Sequence, residues 1–175
     1  MKTCILGLIL IAAPVFAQDA IKDALVKHWK SSADFTLAVA KTMPSENYNF
    51  SPNPEEMNFG QVMAHIGAAN LGACVRASGM PRPALNDKMN AWLKDQKTNV
   101  DKDQAIQFLT DTFAFCNTAV GAMTPEKLNA KIGPEGRQLT GFETLWSYFT
   151  HTAHHRGQAE VYMRVKGIKP PDYVF

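Results

Sequence analysis

Two histidines four residues apart, His151 and His155, carry the strongest chemical signal in this chain. On a helix an i,i+4 pair shares one face, one turn apart. Imidazole nitrogens so placed can reach a common zinc ion at about 2.0–2.1 Å each. His65, far upstream, could supply a third nitrogen from another helix. Three neutral imidazoles leave one coordination position open for water or substrate, as in catalytic rather than closed structural sites. The spacing alone is a weak signal. The residues between the pair are Thr152, Ala153 and His154, so the HExxH form with its built-in glutamate base is absent. The same histidines also fit a reading as ordinary polar or half-buried side chains.

Other side chains nearby could serve such a site. Arg156 could orient an anionic substrate or equally hold a carboxylate. Gln158 falls near the face of the pair and could hydrogen-bond a ligand histidine or a bound water. Tyr148 and Tyr162 share that side and could donate to a substrate oxygen, although core packing accounts for them as well. Glu160 falls off that face and makes a poor base. His28, beside Trp29, reads as a surface or packing residue.

The elements that would position these groups are helical. A first helix is expected from an N-cap at Asp19 to Met43, stopped by Pro44, with Ile21, Leu25, Trp29, Phe35, Val39 and Met43 facing inward. A second opens at Asn58 with Gln61 as capping partner. Phe59, Val62, Met63, Ile66, Ala69, Asn70 and Ala73 form its stripe, with His65 at the stripe's edge. Gly79-Met80-Pro81 ends it. A long connection over 79–101 has room for a short helix around Met89–Leu93. A third helix starts at Asp101 with Gln104, and Thr124-Pro125 opens one short helical turn. A fourth runs from Thr140, capped with Glu143, to Lys166, where Gly167 and Pro170-Pro171 stop it. On its wheel, His151 and His155 lie nearly opposite Phe142, Trp146 and Phe149. Either this helix is covered on both sides or the pair faces solvent. No stretch sustains strand alternation, so the fold class is all-α, a four-helix bundle with one long crossover connection.

Composition narrows the function. The chain has 175 residues, is 46% hydrophobic and 19% charged, and carries a formal net charge of +2. This excludes a disordered tail and gives no electrostatic footprint for nucleic acid. The N-terminus has Lys2, an apolar run from Ile5 to Ala13, Pro14, and small residues at Val15 and Ala17. That is the pattern of a secretory signal peptide over residues 1–17, cleaved after Ala17. The run is well short of the roughly 20 residues of a membrane span. The expectation is an exported, periplasmic or secreted protein with no stable membrane anchor and one domain over 18–175. Removing the first 17 residues leaves 158, and the loss of Lys2 lowers the balance to +1. Cys74 and Cys116 would then meet an oxidising compartment. Their separation in space is not legible from the chain, and the expectation is two small buried apolar residues rather than a pair.

The stretch His151-Thr152-Ala153-His154-His155-Arg156-Gly157-Gln158, continuing to Tyr162, Arg164, Gly167, Pro170-Pro171 and Tyr173, resembles the C-terminal signature of the DinB-like (YfiT-like) metalloenzyme superfamily. Asn58–Gln61 with Met63-Ala64-His65-Ile66, and the Met43–Tyr48 junction, resemble its other motifs. The likeness spans about residues 20 to 173. It implies up-down-down-up topology and a divalent metal, zinc or nickel, on His65, His151 and His155. The Arg-Gly-Gln register selects His155 over His154, which goes to the surroundings of the site. The resemblance also implies hydrolysis or thiol-dependent transfer on a small-molecule substrate, and a possible homodimer. The alternative is a non-catalytic bundle that binds a metal or ligand.

Overall fold

The computed structural model describes residues 13–173, with side chains from residue 20 onward. Most of the expected signal segment therefore lies outside the described residues. Six helices follow in chain order: α1 (Ala13–Thr42), α2 (Phe59–Ser78), α3 (Asp87–Asp95), α4 (Lys102–Gly121), α5 (Pro125–Asn129) and α6 (Gly141–Val165). α1, α2, α4 and α6 form the bundle. α3 lies within the long crossover, where the sequence left room for it. α1 passes through Asp19 rather than starting there, because Val15 to Asp19 contains no helix breaker. A two-stranded ribbon, β1 (Lys131–Ile132) and β2 (Leu139–Thr140), brackets the glycine turn before α6. At two residues per strand it is too short to leave an alternation in the sequence.

Helix ends follow local chemistry closely. Asn58 and Gln61 form a reciprocal capping box at the start of α2, and Thr140 and Glu143 do the same for α6. Asp101 accepts the Gln104 amide at the head of α4. α6 ends in a left-handed Gly167, φ 72°, with Gly167 N–H donating to Arg164 and Ile168 N–H to Met163. These two bonds close a Schellman motif that satisfies the last carbonyls. The end of α1 is capped from a distance: Lys102 Nζ donates to the carbonyls of Lys41 and Met43, at 2.8 Å each.

Contacts between helices set the topology. Gly60 meets Val100, Gly67 meets Phe108, and Cys74 meets Cys116, so α2 and α4 run parallel. Tyr162 reaches Met57, His155 meets His65, and Thr152 bonds Asn70, so α2 and α6 are antiparallel. Trp29 packs on Phe149 and Ser32 on Arg156, so α1 and α6 run parallel. Lys102 at Met43 makes α1 and α4 antiparallel. The result is up-down-down-up, with α1 and α2 on opposite corners.

The core falls into two clusters. One surrounds Val39, Met43, Tyr48, Phe59, Met63, Leu109 and Met163. The other surrounds Leu25, Trp29, Cys74, Cys116, Val120 and Leu145. Every expected inward residue of α1 is buried except Ile21, which is half exposed where α1 meets Phe142 and Trp146. Gly60 allows a close approach: a Cβ there would stand 2.1 Å from the Val100 carbonyl oxygen. The cysteines correct an expectation. They are fully buried, as anticipated, but they form a disulfide with Cα atoms 5.5 Å apart. Parallel packing of α2 on α4 puts them in register, a fact no local pattern carries. Closing a loop across 42 positions is worth about 4 kcal/mol in the chain-entropy account.

Candidate metal centre

α6 packs against α2 on one side and α1 on the other, with Trp146 left half exposed, which resolves the wheel conflict. Phe142, Trp146 and Phe149 turn toward α1, stacked in a row. His151 and His155 turn toward α2 and meet His65. The three rings are half-buried, with centroids 4.4–5.0 Å apart. One ligand atom from each lies within 4.8 Å of the others, an arrangement that could hold a metal ion. His65 and His151 present Nε2 to Nε2 at 3.2 Å. Two nitrogens bound to one tetrahedral zinc stand about 3.3 Å apart, so these rings already have the spacing of a shared ion. An all-imidazole donor set suits zinc, nickel, copper or iron rather than calcium or magnesium.

The surroundings prepare two of the rings. The amide nitrogen of Gln158 donates to Glu56 at 2.9 Å and to the Tyr162 hydroxyl at 2.8 Å. Its oxygen therefore faces His155 and accepts from Nδ1 at 3.0 Å. That bond keeps the proton on Nδ1 and leaves Nε2 free toward the other rings. Tyr162 is buried and donates onward to the Met57 carbonyl. Gln96 lines the same cavity wall as His65 and favours its protonated form. Gln96 closes α3 and is the only non-glycine residue with positive φ among the described residues, at 53°. His151 differs, since its Nδ1 is buried with no partner.

Electrostatics favour neutral rings. Burial, then the neighbouring His155, His65 and His154, push His151 down to about 4. Burial and His155 also lower His65, against the opposing effect of Gln96. Neutral imidazole is the form that binds metal.

The remaining expected residues sort as follows. His154 is exposed and stacks edge-on against His155, outside the three-nitrogen cluster. Tyr148 is half-buried, lines the cavity beside the histidines, and lies 5.7 Å ring to ring from His151. Arg156 turns away from the histidine face. It points to α1, 4% exposed, and donates to the Ser32 carbonyl, the Ser32 hydroxyl and the Thr36 hydroxyl. Its guanidinium lies over Phe35 at 4.6 Å. The residue after His155 is rotated about 100° around the helix, which takes it off the histidine face. Glu160 pairs loosely with Arg164 at 3.5 Å. Glu56 and Gln96 were missed by the sequence reading. Both come from irregular connections, where no periodicity marks which side chain turns inward.

Comparison with known proteins identifies the family and the fold. The DinB superfamily model matches residues 28–159, and the chain belongs to that superfamily. It is 26% identical over 148 residues to the uncharacterized protein YjoA of Bacillus subtilis, covering 82% of this chain and 89% of that one. The crystal structure of a DinB-like protein from Bacillus cereus superposes with TM-score 0.71 at 17% identity, over 87% of this chain and 97% of that one. YfiT from Bacillus subtilis, described as a probable metal-dependent hydrolase with an unusual four-helix bundle topology, superposes with TM-score 0.66 at 16% identity. That match covers 85% of this chain and 89% of that one.

Proposed function

We propose that this protein is an exported metal-dependent enzyme, with hydrolysis as its reaction class. The observation that carries the proposal is the 3.2 Å approach of His65 and His151 Nε2, with His155 alongside and the cluster opening on a cavity of about 560 Å³. Three protein nitrogens would leave a bound ion a further position for water or substrate, and His65 and His151 line this space. A bound divalent cation, zinc or nickel, supplies the charge that acidifies a water and polarises a substrate oxygen. Gln158 orients His155, and burial holds His65 and His151 toward the neutral form that donates a lone pair. Tyr148, on the cavity wall, is placed to donate a hydrogen bond to a substrate oxygen. The description of YfiT supports the same class by analogy of fold.

Export rests on the signal-peptide pattern of residues 1–17, and the Cys74–Cys116 disulfide fits an oxidising compartment. The same compartment disfavours transfer to a low-molecular-weight cytosolic thiol. The second reading, a non-catalytic metal-binding bundle, is favoured by one observation: among the described residues no carboxylate lines the cavity to act as base.

Metal analysis of purified protein tests the site. Wild type is expected to carry close to one ion per chain and His151→Ala almost none. Equal, near-zero content in both would end the proposal. Hydrolysis of ester and amide panels, lost on chelation and restored by zinc, separates the enzyme from the binder. The mass of the mature chain from the host envelope fraction tests cleavage after Ala17.

A further inference from the structure

The cavity beside the histidines is positively charged at its far end. His65, Gly72 and Arg76 fall along one face of α2, and Arg82 comes from the connection that follows. The Arg76 guanidinium folds back over Gly72, with Nη1 3.1 Å from where a Cβ on that residue would stand. It also lies over the Tyr148 ring at 5.3 Å, which holds it at the cavity wall. Gly72 is seven residues from His65, about 10 Å along the helix. Among the described residues, no acidic side chain lines the cavity. The ion pairs among the described residues are Lys30–Asp34, Arg164–Glu160 and Lys169–Asp172, so neither cavity arginine is neutralised by a carboxylate. The two guanidiniums, both on exposed residues, set a positive field over the space between them and His65 and His151.

We infer that this cavity binds a small molecule carrying an oxyanion, carboxylate or phosphoryl, which Arg76 and Arg82 anchor while its other end lies at the three histidines. The inference deepens the metal reading by naming a substrate class, and it rests on that reading for what happens at the histidine end. Guanidinium groups match both oxyanions in bidentate geometry. The 10 Å spacing suits a compact molecule of several heavy atoms rather than a polymer. The polar anchor at one end would set orientation, and the apolar floor of Ala68, Ala69 and Leu71 would accept the body between.

Calorimetric titration of the full chain tests this, zinc-loaded and zinc-free, with inorganic phosphate, succinate and the neutral analogue succinamide. Arg76→Gln, Arg82→Gln and the double variant are compared with wild type, with far-UV circular dichroism and thermal midpoint as folding controls. At least one anion is expected to bind wild type, and the double variant to bind it at least about tenfold more weakly. Succinamide is expected to bind at least about tenfold more weakly than succinate if carboxylate is the preferred oxyanion; tighter phosphate binding assigns the phosphoryl class. Equal anion affinity in wild type and double variant would overturn the inference. So would no measurable binding of either anion to wild type. If wild type takes up no zinc, the metal reading fails alone. The arginine comparison is then read on the zinc-free protein by the same criteria.

Discussion

The face of α6 toward α2 and its face toward α1 each receive a basic side chain, from His155 and Arg156, adjacent in the chain. Their surroundings differ in what is left over. Arg156 is almost fully buried, donates to Ser32 and Thr36, and packs over Phe35. Burial lowers its pKa, opposed by Tyr173 and Glu160. Its role is to tie α6 to α1. His155 is half-buried, with Nδ1 held by Gln158 and Nε2 free toward two other rings. Its role requires an unused lone pair. A buried polar group whose contacts are all within the fold is structural, whereas one that is held at one atom and open at another is prepared for a ligand.

Exchanging the two residues for alanine gives the sharpest test of this contrast. His155→Ala is expected to abolish stoichiometric metal uptake while leaving the stability of the metal-free protein within about 1 kcal/mol. Arg156→Ala is expected to cost about 2–4 kcal/mol in urea unfolding, since it removes the hydrogen bonds to Ser32 and Thr36 and the packing over Phe35. The folded fraction of Arg156→Ala should still bind one ion. Metal loss in the arginine variant at full stability would collapse the distinction.

Gln158→Ala probes the held atom. It leaves all three ligands present, so metal stoichiometry should persist while affinity falls about 10- to 100-fold in a chelator competition. Unchanged affinity would mean that His155 needs no partner to set its tautomer.

The smallest effect is in pH. His151 is lowered to about 4 in the folded protein, against roughly 6.5 unfolded. The unfolded chain therefore binds the proton more readily across that window. The stability this ring contributes is present above about 6.5 and is lost as pH falls toward 4. Metal-free His151→Ala should show a shallower loss of stability over the same range than metal-free wild type. Parallel curves would mean that His151 titrates alike in both states.

The helix boundaries were readable because they depend on neighbours in the chain. Asn58 with Gln61, Thr140 with Glu143, and Gly167 satisfy backbone groups a few residues away. The pairing of His151 with His155 was readable for the same reason. The fate of Arg156 was not, because both of its readings depended on partners that α1 alone supplies. Nor were Glu56 and Gln96 readable, since they act from irregular segments.

The chain alone therefore established helices, caps, inward stripes, a one-turn histidine pair and, through its motifs, the kinship that added His65. Such features arise from interactions within a few residues, whose geometry the backbone repeat prescribes. Tertiary structure decided which sides of α6 are covered, that Cys74 reaches Cys116, that His65 Nε2 comes within 3.2 Å of His151 Nε2, and that Arg76 and Arg82 share a cavity wall. Each of these depends on the parallel pairing of α2 with α4 and the antiparallel pairing of α2 with α6. Those pairings follow from how the separate stripes pack against one another, a choice made over the whole core rather than along any one helix.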